Sequence, residues 1–247
     1  MHNLQPLGSE NGIITAIVTQ GTPELGIKLP AEATASFETY YSFLKECRRS
    51  VNLTSVKGEE DVARLHFLDS LALYSTSEFK NARVIDIGSG AGFPGIPLKI
   101  ADTSIDLTVL DATGKRVAFL SNLCAALNIN AACIHARAEE ASRKPDFRDC
   151  YDIAVSRAVA RLNVLCELCL PFVRIGGVFI AMKGVDSADE LEEAFNAITT
   201  LGAKLLNCYD YTIPGTDITH RAIIIKKASG TPDKYPRRYA KAQKTPL

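Results

Sequence analysis

The 247-residue chain has no net charge, since 28 lysines and arginines balance 28 aspartates and glutamates. No global field draws it toward nucleic acid, so any basic footprint has to be local. It also lacks an apolar run approaching the ~20 residues that cross a bilayer, and no membrane role is expected. Its seven cysteines, at positions 47, 124, 133, 150, 166, 169 and 208, are odd in number and scattered. With no signal peptide legible ahead of them, and a chain long enough to build a core without staples, they read as reduced thiols of a cytoplasmic protein. Cys166 and Cys169 have the spacing of a metal or redox pair, but no second ligand pair lies at suitable spacing. The surrounding "RLNVLCELCLPFV" is a helical pattern, so both read as small apolar residues on a buried face, and no metal is expected.

What is present is an apolar fraction of 47%, patterned as alternating strands and helices from residue 82 onward. β-rich runs occur at "ARVIDI", "IDLTVLD", "AACIHA", "YDIAVS", "GGVFIAMK", "AKLLNCYDYTI" and "RAIIIKK". Helical patterns lie between the early ones, at roughly 94–101, 113–128 (capped by Thr113) and 161–173. This order predicts an α/β fold: a mostly parallel sheet with helices on both faces. The last two runs, separated near "PGTD", predict an antiparallel C-terminal hairpin. Helices at roughly 32–48 and 59–76 predict an N-terminal helical cap over 23–80. Residues 1–22 are expected to be loosely ordered, 81–228 to form the main domain, and 229–247 to form a basic tail.

Ligands of an open α/β sheet bind outside the carboxyl ends of the strands. The residues there are Asp86 and Gly88, Asp111, Ala138 and Glu139, Arg157 and Lys183. "GSGAGFPG" adds Gly90, Gly92 and Phe93, with glycines able to adopt positive φ and to let backbone approach a ligand. Two ligands compete for this loop. "GAGFPG" fits a dinucleotide fingerprint, with Asp111 lying 21 residues beyond Gly90, close to where a ribose would be held. Against it, Asp86 precedes a tighter G-x-G-x-G than that fingerprint uses. An adenosyl sulfonium has no pyrophosphate but carries a cationic centre and an ammonium group that carboxylates suit. Asp111 would then accept the ribose hydroxyls. A nicotinamide enzyme would also need a catalytic tyrosine or lysine pair, which is not evident; a non-enzymatic RNA-binding module with a nucleotide pocket is the remaining alternative.

"NLTSV", "HFLDSL", "VIDIGSGAGFPGIPLKI", "KRVAFL", "RAEE", "SRAVARLNVL", "GGVFIAMKG" and "YPRR", in that order from about residue 24, resemble the RsmG (GidB) family of bacterial methyltransferases. The resemblance implies a class I (Rossmann-like) methyltransferase sheet. It also implies S-adenosylmethionine-dependent methylation of guanine N7 in the decoding-region loop of 16S ribosomal RNA, free or in the 30S subunit. Carried over by position, Gly88 and Phe93 would contact the cofactor, Ala138 and Glu139 would lie by the adenine, and Arg157 would border cofactor and substrate. The chain departs from the pattern in having no tryptophan before the Asn-Leu-Thr stretch and in placing Val51 there. Both departures concern the cap, not the cofactor loop. A monomer is expected.

Guanine N7 carries an in-plane lone pair and no proton, so methyl transfer asks for placement rather than a general base. A carboxylate near the purine and a cation at a flanking phosphate would help. His66 and Asp69, three residues apart on the cap, join Arg157 and Lys183 as candidates for this role. The tail after Lys227 holds Lys234, Arg237, Arg238, Lys241 and Lys244 against Asp233 alone, with Tyr235 and Tyr239 interleaved. With Arg221 on the last strand, Lys234, Arg237, Arg238 and Lys241 form the expected RNA-binding set, standing apart from the cofactor loop.

Overall fold

The computed structural model describes residues 12–47, 53, 54, 56 and 58–247. Val51 and residues 1–11 of the expected loose segment lie outside them. Seven strands form one sheet: β1 (Arg83–Ile87), β2 (Asp106–Asp111), β3 (Ala131–His135), β4 (Tyr151–Arg157), β5 (Val173–Gly184), β6 (Ala203–Thr212) and β7 (Thr219–Lys227). Their order is β3-β2-β1-β4-β5-β7-β6. The first five run parallel, and β7 pairs antiparallel with β5 on one side and β6 on the other, as the alternation predicts. The chain reverses its direction of travel across the sheet between β1 and β4. Outside the carboxyl ends of these two strands lies the crevice where doubly wound sheets bind ligands.

Side chains alternate across the sheet with period two. Val84, Leu107, Val109 and Ile153 enter one core, while Ile85, Leu110, Ala154 and Phe179 enter the other. The first core is shared with the cap, whose helices are α1 (Ile13–Gly21) and α2 (Ala33–Cys47), followed by α3 (Glu59–Val62), a π-helical stretch Ala63–Leu68, α4 (Asp69–Leu71) and a 3-10 turn Ala72–Thr76. Residues 13–21, expected to be loose, are thus helical. Their period is hidden by the apolar run "IITAIV", but Ile14 and Val18 are fully buried and pack α1 on α2. Phe37, Tyr40, Leu44 and Phe67 of the cap join the same cluster as the strands, together with α5 (Gly95–Ala101) and α6 (Gly114–Ala126).

The second core is covered by α7 (Ala138–Ala141), α8 (Leu162–Cys169), α9 (Ala188–Thr200) and α10 (Tyr239–Lys244). All eight residues of α8 are buried, so Cys166 and Cys169 are core residues and burial pushes both thiols up. The expected helix to 173 ends earlier because Pro171 sits in a 3-10 turn (Leu170–Phe172) before β5. α9 buries Ala194, Ala197 and Ile198 and exposes Asp189, Glu192 and Glu193.

Candidate functional site

The glycine loop leaves β1 behind a buried carboxylate. Asp86 Oδ2 accepts hydrogen bonds from Ser89 Oγ at 2.7 Å and from Gly95 N at 2.9 Å, which closes the loop on the start of α5. Its Oδ1 is buried with no partner among the described residues. Burial pushes this carboxyl up to about 6, against the pull of those hydrogen bonds. Gly88, Gly90 and Gly92 all have positive φ, but they serve different ends. Among the described residues, a Cβ on Gly90 would meet nothing nearer than the Gly88 carbonyl at 3.9 Å, whereas one on Gly92 would overlap the Tyr40 hydroxyl. Gly90 therefore faces open space and Gly92 faces the cap. Gly90 N donates to Asp111 Oδ2 at 3.0 Å and Thr113 N to Oδ1 at 2.8 Å, so Asp111 ties the loop to the end of β2.

A cavity of about 310 Å³ opens at these strand ends. Four expected residues line it: Gly88, Asp111, Ala138 and Glu139. Ile87, Leu110 and Leu168 supply apolar lining, and Arg116, Arg137, Ala158, Val159 and Tyr239 are among the rest. Asp86 and Gly92 stand behind the loop. Phe93, expected against the cofactor, is only 5% exposed and turns to the cap. Its ring lies parallel to Tyr40 at 5.3 Å and within 4.4 Å of the His66 ring.

Arg157, at the end of β4, joins a second cluster beside the cavity. Its Nη1 donates to Asp69 Oδ2 at 2.9 Å and to the Leu65 carbonyl at 3.0 Å, and its guanidinium lies 5.1 Å over the Phe93 ring. Nη2 lies 3.0 Å from His66 Nδ1. His66 Nδ1 also lies 3.0 Å from the Leu65 carbonyl, and its Nε2 meets Thr54 Oγ1 at 2.7 Å. His66 and Asp69 thus both reach Arg157, His66 from the π-helical stretch and Asp69 from the start of α4.

The sequence reading missed two partners of Asp69. Tyr211 Oη and His220 Nδ1 both donate to its Oδ1 at 2.8 Å. Burial alone would push Asp69 up, but the His220 hydrogen bond, Arg157 and Tyr211 outweigh it and hold the carboxyl below its usual range. The Asp69 hydrogen bond raises His220 against the opposing effect of its burial. Tyr211 and His220 are register partners in the C-terminal hairpin, a neighbourhood that a pairing argument could have found. The residue after Arg157, Ala158, has φ +56, a left-handed conformation that costs a non-glycine residue energy and concentrates at functional sites.

Other expected site residues are placed elsewhere. Lys183 Nζ donates to Glu190 Oε2 at 2.7 Å and to the Ala160 carbonyl at 2.8 Å, fixing the loop after β4 instead of entering the Arg157 cluster. Arg221 pairs bidentately with Asp210 across the hairpin. Arg237 turns inward to the buried Glu167, with Nε–Oε1 at 2.9 Å and Nη2–Oε2 at 2.6 Å, so its donor fork is not presented to solvent. Lys234, Arg238 and Lys241 are exposed. The expectation that the tail stands apart from the cofactor loop fails, because Tyr239 lines the cavity and its N–H donates to Glu139 Oε1 at 3.3 Å.

The cavity fits an adenosyl sulfonium. Asp111 and Glu139 line it with carboxylates, and on the loop beside it Gly90 leaves space for close approach, with Asp86 buried behind. A dinucleotide fits poorly, since its pyrophosphate would need the helix N-terminal donors and the Gly95 N–H of α5 is already bound to Asp86. Solved structures of similar fold include the branched-chain polyamine synthase of Thermus thermophilus and the [4+2]-cyclase SpnF. The first gives a TM-score of 0.58 at 12% identity over 83% of this chain and 66% of that one. The second gives 0.54 at 13% identity over 83% and 99%; both show the fold alone. Relatives include the ribosomal RNA small subunit methyltransferase G of Alkaliphilus oremlandii, 43% identical over 94% of this chain and 98% of that protein. That of Acetivibrio thermocellus is 42% identical over 94% and 96%. Residues 33–217 match the family model described as GidB, rRNA small subunit methyltransferase G. With the cavity, the glycine loop and that match in agreement, the chain belongs to the GidB family of S-adenosylmethionine-dependent rRNA methyltransferases.

Proposed function

We propose that this protein methylates N7 of a guanine in the decoding-region loop of 16S ribosomal RNA, acting as a cytoplasmic monomer on the free RNA or the 30S subunit. S-Adenosylmethionine supplies the electrophilic methyl group. Gly88, Asp111, Ala138 and Glu139 hold the adenosine portion, while Asp86, Gly90 and Gly92 set the loop against which it rests. Phe93 acts from behind that loop by seating it on the cap.

N7 brings its own lone pair and loses no proton, so no side chain has to act as a base. The work left to the protein is placement and charge. Arg157 is held on three sides, by Asp69, the Leu65 carbonyl and His66, and cannot swing freely. It stands one residue from the cavity-lining Ala158, where it can orient the RNA phosphate beside the reacting base. Asp69 balances that cation, and the base grows positive during transfer, so a carboxylate close by lowers the barrier. N7 faces the deep major groove of A-form RNA, which side chains do not reach, so the target base has to be in an open loop or extruded.

The observation that carries this reading is the adjoining of the carboxylate-lined cavity and the clamped Arg157 at the switch point of the sheet. The test is incubation of 16S RNA and of 30S particles with methyl-labelled cofactor, followed by mapping of the modified base. Label on one loop guanine at N7 is expected. Cofactor binding with no transfer to either substrate would overturn the proposal in favour of a binding module.

A further inference from the structure

We propose that the C-terminal segment is a strap of the cofactor site, in which Tyr239 is a cofactor-contacting residue and the Glu167–Arg237 pair is the latch that places it. The inference rests on the cavity assigned above, and Arg237 and Tyr239 lie beyond the span matched by the family model, which ends at 217.

The segment after β7 does not trail into solvent. Thr231 is buried, and its hydroxyl donates to the Leu201 carbonyl at 3.0 Å while accepting from the fully buried Lys227 Nζ. Arg148 donates to the carbonyls of Thr231 and Tyr235, and Arg143 to those of Asp233, Lys234 and Pro236. Tyr235 and Ala242 enter the second core. Between them, Glu167 of α8, 1% exposed, accepts the Arg237 backbone N–H at 2.6 Å as well as its guanidinium. Removing a carboxylate from water is costly, and a buried ion pair stabilises a fold less well than apolar packing would. A bidentate fork does fix direction. Two residues further on, Tyr239 lines the cavity whose other lining residues include Ile87, Leu110 and Leu168, and its N–H is tied to Glu139.

An aromatic side chain in a cavity lined by aliphatic residues and carboxylates suits a flat heteroaromatic base with attached hydroxyls. Base-to-aromatic contacts of this kind are worth about five- to a hundredfold in affinity on truncation to alanine. The basic residues of the tail thus divide: Arg237 faces inward as part of the latch, and Lys234, Arg238 and Lys241 stay outside.

The absence of tryptophan from the chain makes a direct test possible. Tyr239→Trp introduces a lone reporter, titrated with S-adenosylhomocysteine by fluorescence; Tyr209→Trp, on β6 where Tyr209 is 41% exposed and does not line the cavity, is the control. Calorimetry gives the affinity of the wild type, Tyr239→Phe and Tyr239→Ala, with thermal melts confirming that each folds. Saturable quenching is expected at position 239 and none at 209. Affinity should fall about tenfold in Tyr239→Ala and stay within about twofold of wild type in Tyr239→Phe. A flat signal at 239, or wild-type affinity in Tyr239→Ala, overturns the strap. Failure of the wild type itself to bind would overturn the cavity assignment and the strap with it.

Discussion

Alanine at Gly90 and at Gly92 should separate the two jobs of the glycine loop. Both glycines have positive φ, +60° and +103°, so either alanine costs about 1–2 kcal/mol in backbone strain. At Gly90 that is the whole cost, because the new methyl meets no side chain. A melting temperature lowered by about 2–8 °C is expected for a chain of this size. At Gly92 the methyl would overlap the Tyr40 hydroxyl and lie 2.9 Å from Ile96 Cγ1. Tyr40 is fully buried, its ring is parallel to Phe93, and its hydroxyl donates to the Ala91 carbonyl at 2.6 Å. Moving it aside breaks that bond, and overpacking adds about 1–3 kcal/mol. The total of about 2–5 kcal/mol corresponds to a drop of about 4–20 °C. Cofactor affinity should show the opposite ranking, with Gly90→Ala losing at least tenfold although it is the milder fold defect. The assay is a thermal melt and a calorimetric titration with S-adenosylhomocysteine on each variant. Tyr40→Phe combined with Gly92→Ala should recover about 0.5–3 kcal/mol relative to the sum of the single changes. Wild-type affinity in Gly90→Ala would show that the ligand does not lie against this loop, and strict additivity with Tyr40→Phe would refute the steric account of Gly92.

Arg157→Lys keeps a cation beside Asp69 but cannot span Asp69, the Leu65 carbonyl and His66 together. Turnover should fall at least tenfold with unchanged cofactor affinity and a stability loss of about 1 kcal/mol; stability falling in proportion to turnover would make Arg157 merely structural. His220 has a folded pKa above its ordinary 6.5, so its contribution is complete below that pH and is lost as pH rises through the folded value. Asp69, held below 3.8, contributes above that pH and is lost as pH falls through its own folded value. The melting-temperature difference between wild type and His220→Gln should therefore be largest between about pH 4 and 6.5 and shrink toward pH 9. A difference that stays flat over that range would refute the His220–Asp69 pairing. For the RNA face, Lys234→Gln, Arg238→Gln and Lys241→Gln together should flatten the slope of log affinity against log salt by about two units if each contacts a phosphate. An unchanged slope would move the RNA surface to the cap. These exchanges are preferable to truncation at Lys227, which would strip buried Thr231, Tyr235 and Ala242 from the core.

Much of this protein was decided by local pattern. Alternating apolar runs and helical periods are enough to specify five parallel strands and a closing hairpin, because a strand buried on both faces and an amphipathic helix each need the other. The list of residues at the strand ends follows from the same topology, and the three-residue spacing of His66 and Asp69 lets both reach Arg157. Tertiary structure decided the rest. Phe93 is buried against the cap because Tyr40, distant in sequence, stacks on its ring and Phe67 packs tilted beside it. Lys183 is held by Glu190 and Arg237 by Glu167 because α9 and α8 bring a carboxylate to each, and a cation's role depends on which anion reaches it first. Tyr211 and His220 join Asp69 only once the hairpin is paired and laid beside the cap, more than 140 residues away along the chain. Nor could composition show that the tail returns to the cavity: charge density reads as a solvated surface until a buried partner is known, and Glu167 looks in sequence like any other polar position on a helix.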